Sequence, residues 1–406
     1  MMTGVTTLPE DLTTDLHDLY RHLHAHPELS MQESATAELI EERMGALGYE
    51  TTRIGGTGVV AVLTNGEGPV IGFRADTDGL PVAEATGLDY ASTDRGTLPD
   101  GTDVPVMHAC GHDTHMTAAI GAATLLQQSR ESWSGTVVLV FQPGEETAAG
   151  AVAMLEDGLW DKVPRPEVMF AQHLSADLAG TVNLSTGPAL AMADSLEVVV
   201  HGRGGHGSRP ESTIDPVVLA AHMIVRLQSL VSRELAAQDA AVLTVATIHA
   251  GMKENIIPAE AVFTINVRTL DERVRQQVLA GIRRIVSAEA AASGAPEPEV
   301  RELYTFPLVH NDEETSAAVT EVLVAALGAD RVSPRVPQMG SEDFGALPEA
   351  IGVPGVYWFF GGLPQDVIDL PEPTPSNHSP FFAPVLEPTL STATTAAYEV
   401  IRSRLG

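Results

Sequence analysis

Basic side chains are scarce in this chain. Against 54 aspartates and glutamates stand 23 lysines and arginines, Lys162 and Lys253 being the only lysines, so the formal charge at pH 7 is -31. Such a surface repels a polyanion over most of its extent, which argues against nucleic acid as a partner. The acidity itself reads as solubility or salt adaptation and says little about chemistry. Cysteine is nearly absent: Cys110 stands alone. An internal disulfide is therefore excluded, and the chain suits a reducing compartment. Nowhere do about 18 apolar residues run unbroken, which excludes an ordinary membrane-spanning helix. The N-terminal stretch, with Glu10, Asp11 and Asp15, lacks the basic-then-apolar order of a secretory leader. These absences point to a cytoplasmic protein without membrane contact. No repeat at solenoid periods and no long low-complexity tract is found, apart from a short proline-rich loop at Pro371, Pro373 and Pro375.

What is present is a dense cluster at residues 107–115, Met-His-Ala-Cys-Gly-His-Asp-Thr-His, which packs Cys110, His108, His112, His115 and Asp113 together. A thiolate and an imidazole two residues apart on a glycine-flexed turn can face one centre, and sulfur with nitrogen suits zinc or a similar divalent ion. Alone, the stretch would read as well as a buried free cysteine beside surface histidines.

At 406 residues with a 44% hydrophobic fraction, the chain is long for one core and predicts two domains or a large insertion. Leu12, Leu16, Leu19, Tyr20 and Leu23 recur at helical spacing up to Pro27, giving His22, His24 and His26 a capped, solvent-facing or structural role. Ser30 with Glu33 reads as a capping box for a second helix ending at Gly48. Val59 to Leu63 and Val70 to Ala75 read as strands, the latter ending in Asp76-Thr77-Asp78-Gly79. Asp113 or Thr114 can cap the helix that follows the cysteine cluster. Thr136 to Phe141 is a buried-type strand ending in Gln142-Pro143-Gly144-Glu145-Glu146, and Val168 to Ala171 repeats the pattern, ending at Gln172-His173. Strands alternating with helices imply a mostly parallel α/β sheet, whose ligands bind beyond the carboxy ends of its strands. From about Asp194 the order becomes βαββαβ, a small α+β unit of ferredoxin-like type inserted into the first. The expected division is 1–191 and 306–406 for one domain and 192–305 for the insertion.

Cys110, His112, Glu146, His173 and His378 then fall on loops of one sheet edge. Five donors exceed one tetrahedral zinc and suit two metals with a shared ligand and open positions for water. Adjacent Glu145 and Glu146 crowd if both ligate, and diverge if the backbone is extended. Glu146 is read as the ligand and Glu145 as the general base, passing a proton from water to a leaving nitrogen. Asp78 is read as orienting a ligating imidazole.

With Phe73 to Pro81, His108 to His115, Gln142 to Glu146, Gly204 to Ser208, Met339 to Phe344 and Asn377 to Pro380, the sequence resembles the M20 metallopeptidase family. Within it, the resemblance is to the amidohydrolase branch of hippurate, N-acyl-amino-acid and indole-acetyl-amino-acid hydrolases. The resemblance implies the same five ligands, Glu145 as base and Asp78 as the catalytic carboxylate behind them. It further implies two divalent ions per subunit (Zn, Mn, Co or Ni), a lid that mediates homodimers, and His206 as donor to a substrate oxyanion. Asp76 stands where related peptidases carry histidine. Asn255 and Arg268 are candidates for the substrate carboxylate, the guanidinium offering a bidentate fork.

The expected activity is hydrolysis of the amide of a small N-acyl amino acid, with dipeptides or carboxypeptidase substrates as the alternative. Two rival readings stand beside it. A cysteine hydrolase built on Cys110 leaves Glu145, Glu146, His173 and His378 idle. A non-catalytic metal-dependent binding protein leaves Glu145 idle.

Overall fold

The computed structural model describes residues 8–371 and 373–406. The chain forms two compact units. One runs to Ala189 and resumes over Val309–Val336 and Asp343–Gly406, and the other comprises Leu190–Leu308 with Pro337–Glu342.

The first unit is built on an eight-stranded sheet. Its four central strands are, in spatial order, Gly135–Gln142, Val70–Asp76, Val168–Leu178 and Gly355–Leu363, all mutually parallel. Antiparallel pairs flank them: Gly58–Asn65 beside Gly135–Gln142, and Val182–Leu184 beside Gly355–Leu363. Every residue of Gly135–Gln142 is buried, as its unbroken β-branched and apolar run requires of a strand covered on both faces. Helix His112–Gln128 lies against the terminal helix Thr389–Arg402 at close range: a Cβ on Gly121 would sit 2.8 Å from Thr394 Cγ2. Phe73, Phe170 and Trp358, all buried, stack within the core between sheet and helices.

Parallel register sets the level of the site. Asp76 lies opposite Gln142, and Arg74 lies opposite Ala171, so the end of Val70–Asp76 is level with His173 two residues on. The sequence places His173 just beyond a strand. Instead the strand continues to Leu178, with His173 paired to Phe359, because Gly355–Leu363 supplies ladder partners as far as Leu178.

Two predicted caps are also replaced. Helix Ser34–Ala46 is capped by neither Ser30 nor Glu33, whose oxygens take the partners described below; the Glu28 carboxylate accepts its Ala35 N–H at 3.1 Å and Thr36 N–H at 2.8 Å instead. The helix after the cysteine starts at His112 itself, with Gly111 in a left-handed conformation before it (φ 83°) and Asp113 turned to His24. Among the first-helix histidines, His24 is buried between Asp113 and Glu84, whereas His22 and His26 are exposed.

The second unit has the strand order Glu299–Phe306, Met192–His201, Glu260–Thr269, Ala241–Ala250, antiparallel throughout. Helices Pro216–Ser229 and Glu272–Ala292, N-capped by Asp215 and Asp271, cover it with Leu219, Met223, Val278 and Ile282 against Phe263 and Ile265. Among the described residues no helix is long and apolar enough to cross a membrane.

Candidate metal centre and active site

Gly111 decides how the cysteine cluster turns. Its φ of 83° is costly for any other residue, and a Cβ there would run into Leu174. The turn sends Cys110 and His112 from the loop and the first helical turn toward the same region. His112 Nδ1 meets Asp78 Oδ1 at 3.2 Å, which leaves Nε2 buried without a hydrogen bond. Around that nitrogen stand Asp76 Oδ2 at 3.6 Å, Glu146 Oε1 at 3.8 Å and Glu145 Oε2 at 3.9 Å.

The remaining donors close the ring. Cys110 Sγ lies 3.6 Å from His173 Nε2, and His378 Nε2 lies 3.4 Å from Glu146 Oε1. Donor atoms of Cys110, Glu146 and His378 form one group within 4.8 Å of each other, and those of Asp76, His112, His115 and His173 form a second. His378 is held at a positive φ of 70°, rare for a side chain with a Cβ, and its N–H donates to Ala109 O at 2.8 Å. Thus Cys110, His112, Glu146, His173 and His378 are brought together.

Tautomers follow from backbone partners. Leu174 N–H donates to His115 Nε2 at 2.8 Å, so the His115 proton sits on Nδ1, facing Asp76. His173 Nδ1–H donates to the Leu174 carbonyl at 2.7 Å, leaving the His173 Nε2 lone pair toward Cys110. Asn377 Nδ2 spans the Cys110 and Leu174 carbonyls, each at 3.1 Å.

The electrostatics suit a cation. Burial opposes charge on His112, but Asp76, Asp78 and Glu146 outweigh it and push its pKa up to about 10. Burial, reinforced by Glu146, Glu145 and Asp76, raises the Cys110 thiol well above its ordinary value. That thiol is no activated free nucleophile, which counts against the cysteine hydrolase. Burial and the neighbouring His115 keep His173 neutral. An unpartnered imidazole nitrogen, a second lone-pair nitrogen, a sulfur and several carboxylates converging in a buried pocket fit divalent metal ions of zinc or manganese type.

The two glutamates do not diverge as an extended backbone would make them. Gly144, left-handed at φ 56°, folds Glu145–Thr147 into a single 3₁₀ turn, and both carboxylates reach within 4 Å of His112 Nε2. Asp78 carries three bonds: beyond His112, its Oδ2 accepts Ser30 Oγ at 2.6 Å and Glu146 N at 3.1 Å.

Several residues here had no role in the sequence reading. Arg74, buried, joins Asp76 to Asp343, and Asp343 also accepts Gln142 Nε2 at 2.6 Å and Ala151 N at 3.1 Å, bracketing the glutamate loop from both ends. His115 was visible as an i, i+3 partner of His112 on one helix face.

His206, Asn255 and Arg268 belong to the second unit. His206, exposed, pairs with Ile256 on a two-stranded ladder, and Asn255, exposed in the turn just before Ile256, accepts Gly207 N through its carbonyl at 2.8 Å. Ser208 N donates to His206 Nδ1 at 3.1 Å, so the neutral ring carries its proton on Nε2. Arg268 donates to three neutral oxygens: Asn266 Oδ1 at 2.8 Å, Ser341 Oγ at 2.9 Å and Met339 O at 3.2 Å.

Residues 72–402 match the family model described as peptidase family M20/M25/M40. The chain is 39% identical to N-acetylcysteine deacetylase of Bacillus subtilis, over 86% of this chain and 88% of that protein. It is 37% identical to hippurate hydrolase of Campylobacter jejuni, over 84% of this chain and 88% of that one. A crystal structure from Bacillus subtilis, described as a dinuclear metal-binding peptidase of the M20 family, superposes with a TM-score of 0.78 at 32% identity, covering 98% of this chain and 100% of that one.

Proposed function

This chain belongs to peptidase family M20/M25/M40, and from that premise we propose that it hydrolyses the amide of an N-acylated amino acid, releasing a carboxylic acid and the free amino acid. As a metal-dependent hydrolase of this family it uses water as the nucleophile. Two divalent ions, held by Cys110, His112, Glu146, His173 and His378, would polarise the scissile carbonyl and lower the pKa of water.

Glu145 is the base in this reading. It takes a proton from the attacking water and returns it to the leaving nitrogen, so the amine departs neutral. The observation that carries the proposal is that Glu145 shares the His112 Nε2 neighbourhood with Glu146 at almost equal distance, 3.9 against 3.8 Å. One carboxylate suffices to hold a cation there, which leaves the other for proton transfer in this reading. Asp78 keeps the His112 lone pair turned inward.

The second unit is assigned the part of a ferredoxin-like lid over 192–305, between catalytic segments 1–191 and 306–406, and of the dimerisation surface of a cytoplasmic homodimer. His206, with its proton on Nε2, is suited to donate to a developing oxyanion. Arg268, which donates only to neutral acceptors in the contacts described above, is suited with Asn255 to a substrate carboxylate.

The test is a substrate panel of N-acetyl amino acids, hippurate and dipeptides, run on one preparation of known metal content. The proposal expects the highest kcat/KM on N-acyl amino acids with a free carboxylate, falling by at least about tenfold when that carboxylate is esterified. Preference for dipeptides throughout would select the peptidase alternative. Turnover without bound metal would end the scheme.

A further inference from the structure

Glu33 is fully buried, yet the hydrolytic scheme gives it no task. Its carboxylate is the hub of three hydrogen bonds, all within the first unit. Oε1 accepts Met31 N at 2.8 Å and Gly144 N at 2.8 Å, and Oε2 pairs with the Thr57 hydroxyl. Both residues bound through Oε1 are left-handed, Met31 at φ 62° and Gly144 at φ 56°. Glycine adopts that conformation freely; methionine does so only when its surroundings hold it. The two are in close contact, since a Cβ on Gly144 would lie 2.5 Å from Met31 Sδ. The same turn supplies Ser30, which donates to Asp78 at 2.6 Å.

We propose that Glu33 is a positioning residue of the hydrolytic site. By holding the Gly144 N–H it fixes the left-handed entry into the Glu145–Thr147 turn, and with it the aim of both glutamate carboxylates. Ser30, on the same turn, fixes Asp78, so residues 30–33 set the proton-transfer group and the imidazole-orienting group against each other. Burial and the charge of Asp78 raise the Glu33 pKa to about 7. The clamp does not depend on which form is present. In either, Oε1 accepts both N–H groups, and a glutamine would do the same while donating Nε2–H to the Thr57 oxygen.

The inference rests on the roles given above to Glu145 and Glu146, and its test separates the two. Steady-state kinetics of the metal-loaded enzyme are combined with hydrogen exchange at the Gly144 amide in the metal-free full chain. Glu33→Ala is expected to lower kcat roughly 100-fold with KM within about threefold, because a misaimed base loses orientation and not binding. The same variant should speed Gly144 exchange by at least about tenfold. Glu33→Gln is expected to stay within about threefold of the parent in both readouts. Glu33→Asp, one methylene too short to reach both N–H groups, should behave like Glu33→Ala and serves if the alanine variant does not fold. Parental kcat and exchange in Glu33→Ala or Glu33→Asp, or a Glu33→Gln as impaired as Glu33→Ala, would overturn the proposal. Exchange that responds as expected beside a fully active Glu145→Gln would keep the clamp and remove the assigned base. Exchange that does not respond removes the clamp whatever Glu145 does.

Discussion

The Glu146 backbone N–H donates to Asp78 Oδ2 at 3.1 Å, while the other oxygen of the same carboxylate faces His112 Nδ1 at 3.2 Å. One side chain therefore orients an imidazole from the helix after the cysteine and pins the loop that carries both glutamates. Burial works against its ionisation, but the hydrogen bond from His112, the charge on that ring, Ser30 and the Glu146 N–H hold it below the usual aspartate value.

Removing that bridge should loosen metal before it loosens the fold. Asp78→Ala is expected to raise the metal dissociation constant by about 10- to 100-fold, the range found when the group behind a ligating histidine is lost. Calorimetric titration of metal into the metal-free variant measures it. An unchanged affinity would show that His112 needs no partner at Nδ1.

Metal uptake should release protons and tighten with rising pH. His112, with its pKa pushed up to about 10, and Cys110, raised by burial and by Glu146, both hold protons in the metal-free pocket at neutral pH. Ligation requires both to give them up, so acid competes with the metal. Titrations in two buffers of different ionisation enthalpy should reveal the release, and Cys110→Ser should bind metal more weakly and lose activity. A pH-independent affinity, or a fully active Cys110→Ser with stoichiometric metal, would contradict the donor set.

Away from the metal donors, His24 sits between Asp113 at 2.7 Å and Glu84 at 3.1 Å, under Tyr20. Burial disfavours its charge, but the two carboxylates win and raise its pKa from 6.5 to about 9. Because the folded value is the higher one, the stabilisation is fully present below pH 6.5 and is lost as pH rises through about 9. Its size is on the order of 3 kcal/mol. Urea unfolding of the parent and of His24→Gln should show a stability gap that is widest near pH 6 and narrows by several-fold near pH 10. A gap that grows with pH would invert the assignment.

Much of this site could be read from residue type and order alone. Cys110 with His112, the Glu145-Glu146 pair and the alternation of strands with helices all have local signatures. The parts that were misread have tertiary causes. Ser30 and Glu33 have the spacing of a capping box, but they bind Asp78 and Gly144, distant in sequence, while the Glu28 carboxylate takes the helix end. His173 lies within its strand because Gly355–Leu363 extends the ladder past it. The glutamates share one face because left-handed Gly144 folds them into a single turn, where an extended backbone would have made them diverge. Arg74 and Asp343, 269 residues apart, meet through topology, which no local pattern records.

The most direct measurement of the central claim is kcat and metal content on the same sample of Glu145→Gln. The account expects two equivalents of divalent metal to remain bound while kcat on an N-acyl amino acid falls by about 10²- to 10⁴-fold, the contribution of a positioned general base. Full turnover with two metals bound would contradict it.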